Sequence, residues 1–586
     1  MEHAMRKLLL TILLIFTTSH AADFGDISIE RLPRLHDLYI SDGYQSNTYR
    51  LQNKGAKPAA VTIRESVTYS NSHNYMKSRS MALAPMTTAY LSLYSPQFRD
   101  SSSKGFMYRH FIDGNCEIFI NGTRQVLPPE LLHLEGTTNR VSMIVQGLVS
   151  PSLPLNEYKT LLGSTHGNEH LTGAASPVEQ WPTHVREYAG FTSVLISSED
   201  RIKPEVSQAL EDFVHLGGTL ITIVPPEAPW PLADVPEPAK CDVHKVGFGR
   251  IVMVRPINRQ NKAALQSVIQ ELNAADSVRQ QRFNNQERPR YPALESLYGF
   301  TITPPEVKGI SIPESTLKIP PHTIPLFTLF LVMVVFAVII GPLNYWYLQR
   351  KGKQLLLIFT TPIISIVFCL FVFLFITFYE GWRSHGAACG FTILDQTKHR
   401  ADTFAHVIMD AAIRPSGGFA FSADDLVSFE GDGKIEVMDA PGQTIASSVM
   451  KPRVPLNYTV SRTESHREQL DIVFNGDQAT VTNGLGAEVT SLVILSHENI
   501  LFHHYQPIPP GGTVTLNGSA WGRTPEARTL PQIVSTLIEE TEWNVSYTTP
   551  WLQKGQYVAK VNEPLFYSIG MKPDILNATH FIFGRF

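Results

Sequence analysis

Two histidines and a glutamate stand in the order of an inverted zinc-peptidase signature: His166-Gly167-Asn168-Glu169-His170 reads H-x-x-E-H. That chemistry needs both imidazoles on one helical face, gripping the metal, with the glutamate beside them as general base. The neighbouring residues oppose such a helix. Gly167 and Asn168 are poor helix formers, and Leu161-Leu162-Gly163-Ser164 reads as a helix ending. A polar loop is the better reading, so His166, Glu169 and His170 stay metal candidates only, and no catalytic residue or cofactor is assigned. His503-His504 would point to opposite faces of a strand and chelate poorly. Gly247-Phe248-Gly249 reads as a hairpin turn, because a dinucleotide loop needs a third glycine opening a helix. No G-x-S-x-G or G-x-x-x-x-G-K-[ST] motif occurs, which removes the common esterase and nucleotide-phosphate readings.

The chain that must position these residues is 586 long, a soft prior of three to four domains. Charged residues are 17% of it, below the about 25% of ordinary soluble chains. A net charge of -4 offers no basic surplus for nucleic acid. Apolar content of 43% excludes disorder, and 40 Pro with 38 Gly imply many turns and strands. Four cysteines are too few for a disulfide framework. Cys116, Cys241 and Cys389 fall outside the apolar spans and Cys369 within one; which of the first three pair is left open.

Arg6 and Lys7, the apolar run Leu8 to Phe16, and Ser19-His20-Ala21 form a signal-peptide pattern over residues 1–21. Residues 323–348 and 355–379 each hold an uncharged apolar run of about 25 residues, long enough as helix to cross a bilayer of about 30 Å. The link Gln349-Arg350-Lys351-Gly352-Lys353-Gln354 has three cations and no acid, so the positive-inside rule places it in the cytoplasm. The pair is expected to be a hairpin that enters from outside and returns there. Gly341-Pro342 and Pro362 interrupt the spans. Asn344, the strongly polar side chain of the first span, is expected to snorkel or to pair with a partner helix. With no Asp, Glu, Lys or Arg inside either span, a transporter working alone is disfavoured.

Short alternating strands and turn clusters fill residues 22–135, which predicts a β-sandwich; Thr48 to Gln52, Asn53-Lys54-Gly55 and Ala60 to Arg64 read as strand, turn, strand. The same grammar returns within residues 380–586, where Ala479 to Gly484 precedes Thr490 to Leu495 and Pro509-Pro510-Gly511-Gly512 leads into Thr513 to Leu516. Residues 136–258 have a different rhythm. Val141 to Val145, Ser193 to Ser197 and Thr219 to Val224 are continuous apolar strands, and Pro204 to Leu216 is apolar at helical spacing with Gly217-Gly218 at its end. Strand, helix, strand implies a parallel sheet. Residues 259–322 are read as a helical segment and linker.

Trp181-Pro182 through Tyr188, the strand to Ser197, and a helix ending in Gly217-Gly218 before a strand resemble the class I glutamine amidotransferase-like domain. Together with a hairpin bearing Gly341-Pro342-Leu343-Asn344-Tyr345 and a β-rich tail, they resemble a group of poorly characterised bacterial membrane proteins. The resemblance implies a flavodoxin-like α/β fold, and catalysis of that type needs a cysteine on the turn after the strand that follows the helix. Here that turn reads Ile223-Val224-Pro225-Pro226-Glu227, without a nucleophile. The expected protein is multidomain α/β plus β: an extracytoplasmic β-sandwich, the α/β domain, a two-helix hairpin in the bacterial inner membrane and a β-rich tail on the outer side. Its expected function is a noncatalytic envelope interaction scaffold with membrane or envelope protein partners. The alternatives are an extracytoplasmic hydrolase, metal-dependent in the version that uses His166 and His170, and an accessory subunit of a transporter.

Overall fold

Period-two alternation gives the first β region two apolar faces that can be buried only against each other. The computed structural model describes residues 20–32, 45–69, 74–95, 98–99, 111–127, 147–149, 173–175, 178, 181–189, 191, 193–197, 200–223, 242–254, 326–380, 384–430, 435–439, 442–520 and 554–586. In it, His20–Phe24, Ile27–Arg31, Gln45–Asn53 and Thr88–Ser95 form one antiparallel sheet. Asn74–Leu83, Ala59–Tyr69 and Phe111–Ile120 lie side by side in a second. Alternate residues of these strands, among them Ile29, Tyr49, Leu51, Val61, Ile63, Leu91 and Ile118, are fully buried in one cluster, as in a sandwich.

Six of these strands have counterparts in the second β module, His20–Phe24 having none among the described residues. Gln469–Asn475, Gln478–Gly484 and Thr513–Asn517 form one antiparallel sheet. Ile500–His504, Val489–Leu495 and Gln556–Val561 adjoin in another. Leu470, Val481, Leu492, Ile494, Phe502 and Tyr557 are buried between them. In both modules the chain changes sheets at a buried asparagine. Asn53 accepts from the Gly55 N–H at 2.9 Å and donates Nδ2 to the carbonyls of Lys57 at 2.8 Å and Ala84 at 3.2 Å. Asn483 accepts from the Leu485 N–H at 3.1 Å and donates Nδ2 to the carbonyls of Ala487 and Ile508, both at 2.8 Å. Each asparagine N–H also bonds the residue after a positive-φ turn position: Thr87 after Met86, and Gly512 after Gly511. The turns after Asn53 and Asn483 and the Pro-led turns at Pro85-Met86 and Pro510-Gly511 are thus, in each module, the two halves of one hydrogen-bonded corner.

Between the modules, Gly147–Val149, Gly173–Ala175, Ser193–Ser197, Thr219–Ile223 and Gly249–Val254 make a parallel sheet with Asp242–Val246 as its antiparallel edge. The helix Pro204–His215 joins two neighbouring strands, beginning at a proline and stopping at Gly217, whose φ is +112°. Its apolar face, Val206, Ala209, Leu210, Phe213 and Val214, packs with Trp181, Tyr188, Phe191, Val194 and Ile196. A side chain on Gly218 would place Cβ 2.3 Å from the Phe213 ring, which is why the helix ends on two glycines. The turn at Gly247-Phe248 does join antiparallel strands, Val246 facing Gly249.

Among the described residues, two helical segments are long and apolar enough to cross a membrane, Phe330–Arg350 and Leu357–Leu374. The first runs as α-helix Leu326–Val338, a π-helical turn Ile339–Leu343 and α-helix Asn344–Arg350; the second is Leu357–Glu380. Pro342 sits in the π-helical turn, where the wider spacing accommodates its missing N–H. Phe336 stacks on Phe368 with centroids 4.0 Å apart. Asn344 pairs with the other helix of the hairpin: its Nδ2 lies 3.0 Å from Thr360 Oγ1 on the returning helix.

Chain segments before and after the hairpin share sheets. Ile435–Asp439 pairs in parallel with Asn74–Leu83, Ile435 to Met438 lying opposite Tyr75 to Ser78. Phe98–Arg99 pairs with Leu426–Glu430 at the end of a ten-stranded sheet. That sheet is centred on Ser384–Asp395, flanked by Arg400–Ala411 and Ile575–Arg585. The β modules that read as separate units in the sequence are therefore woven together. His166, Glu169, His170, Cys241, Trp382 and the segments 1–19 and 259–322 lie outside the described residues.

Candidate functional site

The described polar side chains converge where the α/β layer meets the first sandwich and the large sheet. Helix Pro204–His215 ends on His215, whose Nδ1 is 2.6 Å from Asp402 Oδ2 on the central strand Arg400–Ala411. Asp402 is buried and also accepts from Thr463 Oγ1 at 2.6 Å. Two residues earlier on the same strand face, Arg400 reaches back to the helix, with NH1 2.7 Å from Glu211 and NH2 2.6 Å from Asp212. Period two on the strand and one turn of helix bring these groups to one point. Gly247 closes the site: its φ is +55°, and a Cβ there would lie 2.6 Å from Asp402 Oδ2. Burial raises the Asp212 carboxyl above its ordinary range, with Arg400 opposing that effect.

A second contact group links the α/β layer to both β regions. The Tyr94 hydroxyl donates to Glu187 Oε1 at 2.9 Å, the Arg186 guanidinium lies 4.2 Å over the Tyr94 ring, and His184 Nε2 is 3.3 Å from Asp424. Tyr94 belongs to the first sandwich and Asp424 to the tail. Burial pushes neighbouring Asp425 up to about 6.

The Asp402–His215 pair has two of the three parts of a hydrolytic triad, in which the imidazole Nε2 must face a nucleophile. Here Nε2 faces the Glu211 carboxyl group at 3.8 Å and not a hydroxyl or thiol. The contacts of this pair and of Arg400 join the helix Pro204–His215 to the strand Arg400–Ala411. Cys116 and Cys389 are unpaired and buried, and burial pushes each thiol up to about 12, away from the reactive thiolate. Cys116 lies in the first sandwich near the Tyr49 hydroxyl, beside a buried network in which Glu65 accepts from Tyr49 and from Asn47 at 2.6 Å and pairs with Lys77 at 3.4 Å. Among the described residues, no group of three or more His, Cys, Asp or Glu could hold a metal ion. His503 and His504 sit on an outer strand of the second module, opposite Val493 and Leu492. No local signal could have exposed the His215–Asp402 contact, because its partners are 187 residues apart.

No protein-family model matches the chain, and no curated protein does. Among solved structures, the chain is similar to a yeast delta-COP-I mu-homology domain, at 5% identity, TM-score 0.19, over 34% of this chain and 95% of that one. It is also similar to Bacteroides uniformis beta-glucuronidase, at 9% identity, TM-score 0.13, over 36% of this chain and 24% of that one. Likenesses this weak carry no argument, and they do not point to an amidotransferase.

Proposed function

We propose that the chain is a noncatalytic scaffold of the bacterial cell envelope, held in the inner membrane by its two-helix hairpin with both β modules and the α/β layer on the outer side. The supporting observation is the pairing of Tyr75–Ser78 with Ile435–Met438. Strands that precede and follow the hairpin can share a sheet only if both emerge on one side of the bilayer. The three cations of the intervening turn, by the positive-inside rule, support a cytoplasmic turn with the woven body outside.

In this reading the α/β layer is a degenerate amidotransferase-like unit retained for its shape. Its nucleophile turn carries Pro225 and Pro226, and its best-formed polar cluster fastens it to the tail. Exposed loops and outer strands of the β modules supply interaction surfaces for envelope proteins. The test is purification of the full chain from membranes in mild detergent, with mass spectrometry of what accompanies it. A stoichiometric envelope protein is expected; a lone monomer, or turnover abolished by Glu169→Gln, would overturn the proposal.

A further inference from the structure

We propose that the hairpin turn is a built binding site for an anionic phospholipid headgroup. The helix Asn344–Arg350 ends in a Schellman cap. The Gly352 N–H bonds the Gln349 carbonyl at 3.0 Å, the Lys353 N–H bonds the Leu348 carbonyl at 3.1 Å, and Gly352 has φ +63°. The cap fixes the turn and satisfies its carbonyls, so Arg350, Lys351 and Lys353 project from a defined backbone.

Two of these cations are shelved on aromatic rings one helical turn back. The Arg350 guanidinium lies 3.9 Å over Trp346 and the Lys351 ammonium 4.7 Å over Tyr347. A cation seated on a ring face keeps its outer N–H groups for an acceptor. Tyr345, Trp346 and Tyr347 are each about half exposed, as befits rings at headgroup depth. No Asp or Glu occurs between Glu314 and Glu380, so the local sequence supplies no carboxylate to neutralise the three charges. The chemistry that fits is a phosphate diester held at the membrane surface: the guanidinium takes two of its oxygens and the lysines add point charge. Because the site lies at the end of a membrane span, the source is a phospholipid and not free phosphate.

The proposal rests on the hairpin lying in a bilayer, which alkaline carbonate extraction reports independently. A chain that washes out of membranes fails that reading; one that stays in and does not select lipid fails this one. The experiment is native mass spectrometry of the full-length protein released from nanodiscs of mixed phosphatidylglycerol and phosphatidylcholine. Wild type should retain phosphatidylglycerol preferentially, and Arg350→Gln, Lys351→Gln and Lys353→Gln should each lower that preference about fivefold. Trp346→Leu, with all three cations kept, should also lower it. Equal retention of both lipids, displacement by millimolar inorganic phosphate, or an unchanged preference in Trp346→Leu would overturn the proposal.

Discussion

Replacing the corner asparagines tests whether the two β modules share one fold-determining device. Asn53 is 1% exposed and Asn483 is 0% exposed, and each makes three side-chain hydrogen bonds of 3.2 Å or less to backbone groups of its own corner. Each bond contributes about 1 kcal/mol net, and backbone groups left unpaired add a desolvation cost, so Asn→Ala at either position should destabilise by about 3 kcal/mol. Asn→Asp separates the roles of the two side-chain atoms. It keeps the acceptor but replaces the donor with a second oxygen facing two carbonyls, and should cost more than alanine. Urea unfolding of the full chain in detergent, followed by pulse proteolysis, reads the midpoint. Because the corners lie in separate modules, the two alanine costs should nearly add. Aspartate variants as stable as wild type, or alanine costs below about 0.5 kcal/mol, would refute the corner as the device that turns each chain segment into its second sheet.

His580 gives a pH signature. It is fully buried, and the Leu565 N–H at 3.3 Å from Nδ1 fixes the tautomer that donates from Nε2 to Thr392 at 2.8 Å. Burial pushes it down to about 3, so its neutral form stabilises the fold fully above about pH 6.5, and that stability is lost as pH falls toward 3. The stability gap between wild type and His580→Gln should therefore shrink by about 2 kcal/mol from pH 7 to pH 5, measured by urea midpoints; a constant gap contradicts this. Asp402→Ala removes the shared partner of His215 and Arg400 and should cost about 3–5 kcal/mol, with hydrogen exchange rising first in helix Pro204–His215. Met86 holds φ +53° on an exposed turn, so Met86→Gly should raise the unfolding free energy, read from urea midpoints, by about 1 kcal/mol; a loss of stability would deny the strain.

What could be read from sequence follows the range of the interactions involved. The apolar runs of the hairpin, the helix between Pro204 and Gly217, and the recurring Asn and Pro turns are local patterns, and each corresponds to an element of the structure. The sandwich grammar was legible for the same reason, since period two needs only neighbours in the chain. Register between distant strands has no local signature. Tyr75 meets Ile435 because backbone edges match, and edge matching leaves no residue type behind. The same limit hid the junction at Asp402 and Arg400, whose partners, His215 for the first and Glu211 and Asp212 for the second, are ordinary surface-helix residues by type. Asn344 was visible as a polar residue in an apolar span, but its partner Thr360 only emerges once the hairpin is folded. The amidotransferase-like resemblance rested on Trp181 to Tyr188, the strand to Ser197 and the helix ending in Gly217-Gly218, and of these Gly218 has a packing reason of its own, its close approach to the Phe213 ring.

The most direct test of the woven, single-sided architecture is a disulfide trap across the shared sheet. Met76→Cys and Glu436→Cys, placed opposite each other in register, would be introduced into a full chain whose Cys116, Cys241, Cys369 and Cys389 are replaced by serine or alanine. In intact cells, oxidation should join the pair within one chain, and before oxidation an impermeant thiol reagent that crosses the outer membrane only should label both positions. No cross-link, with one position labelled only after the inner membrane is opened, would contradict the account.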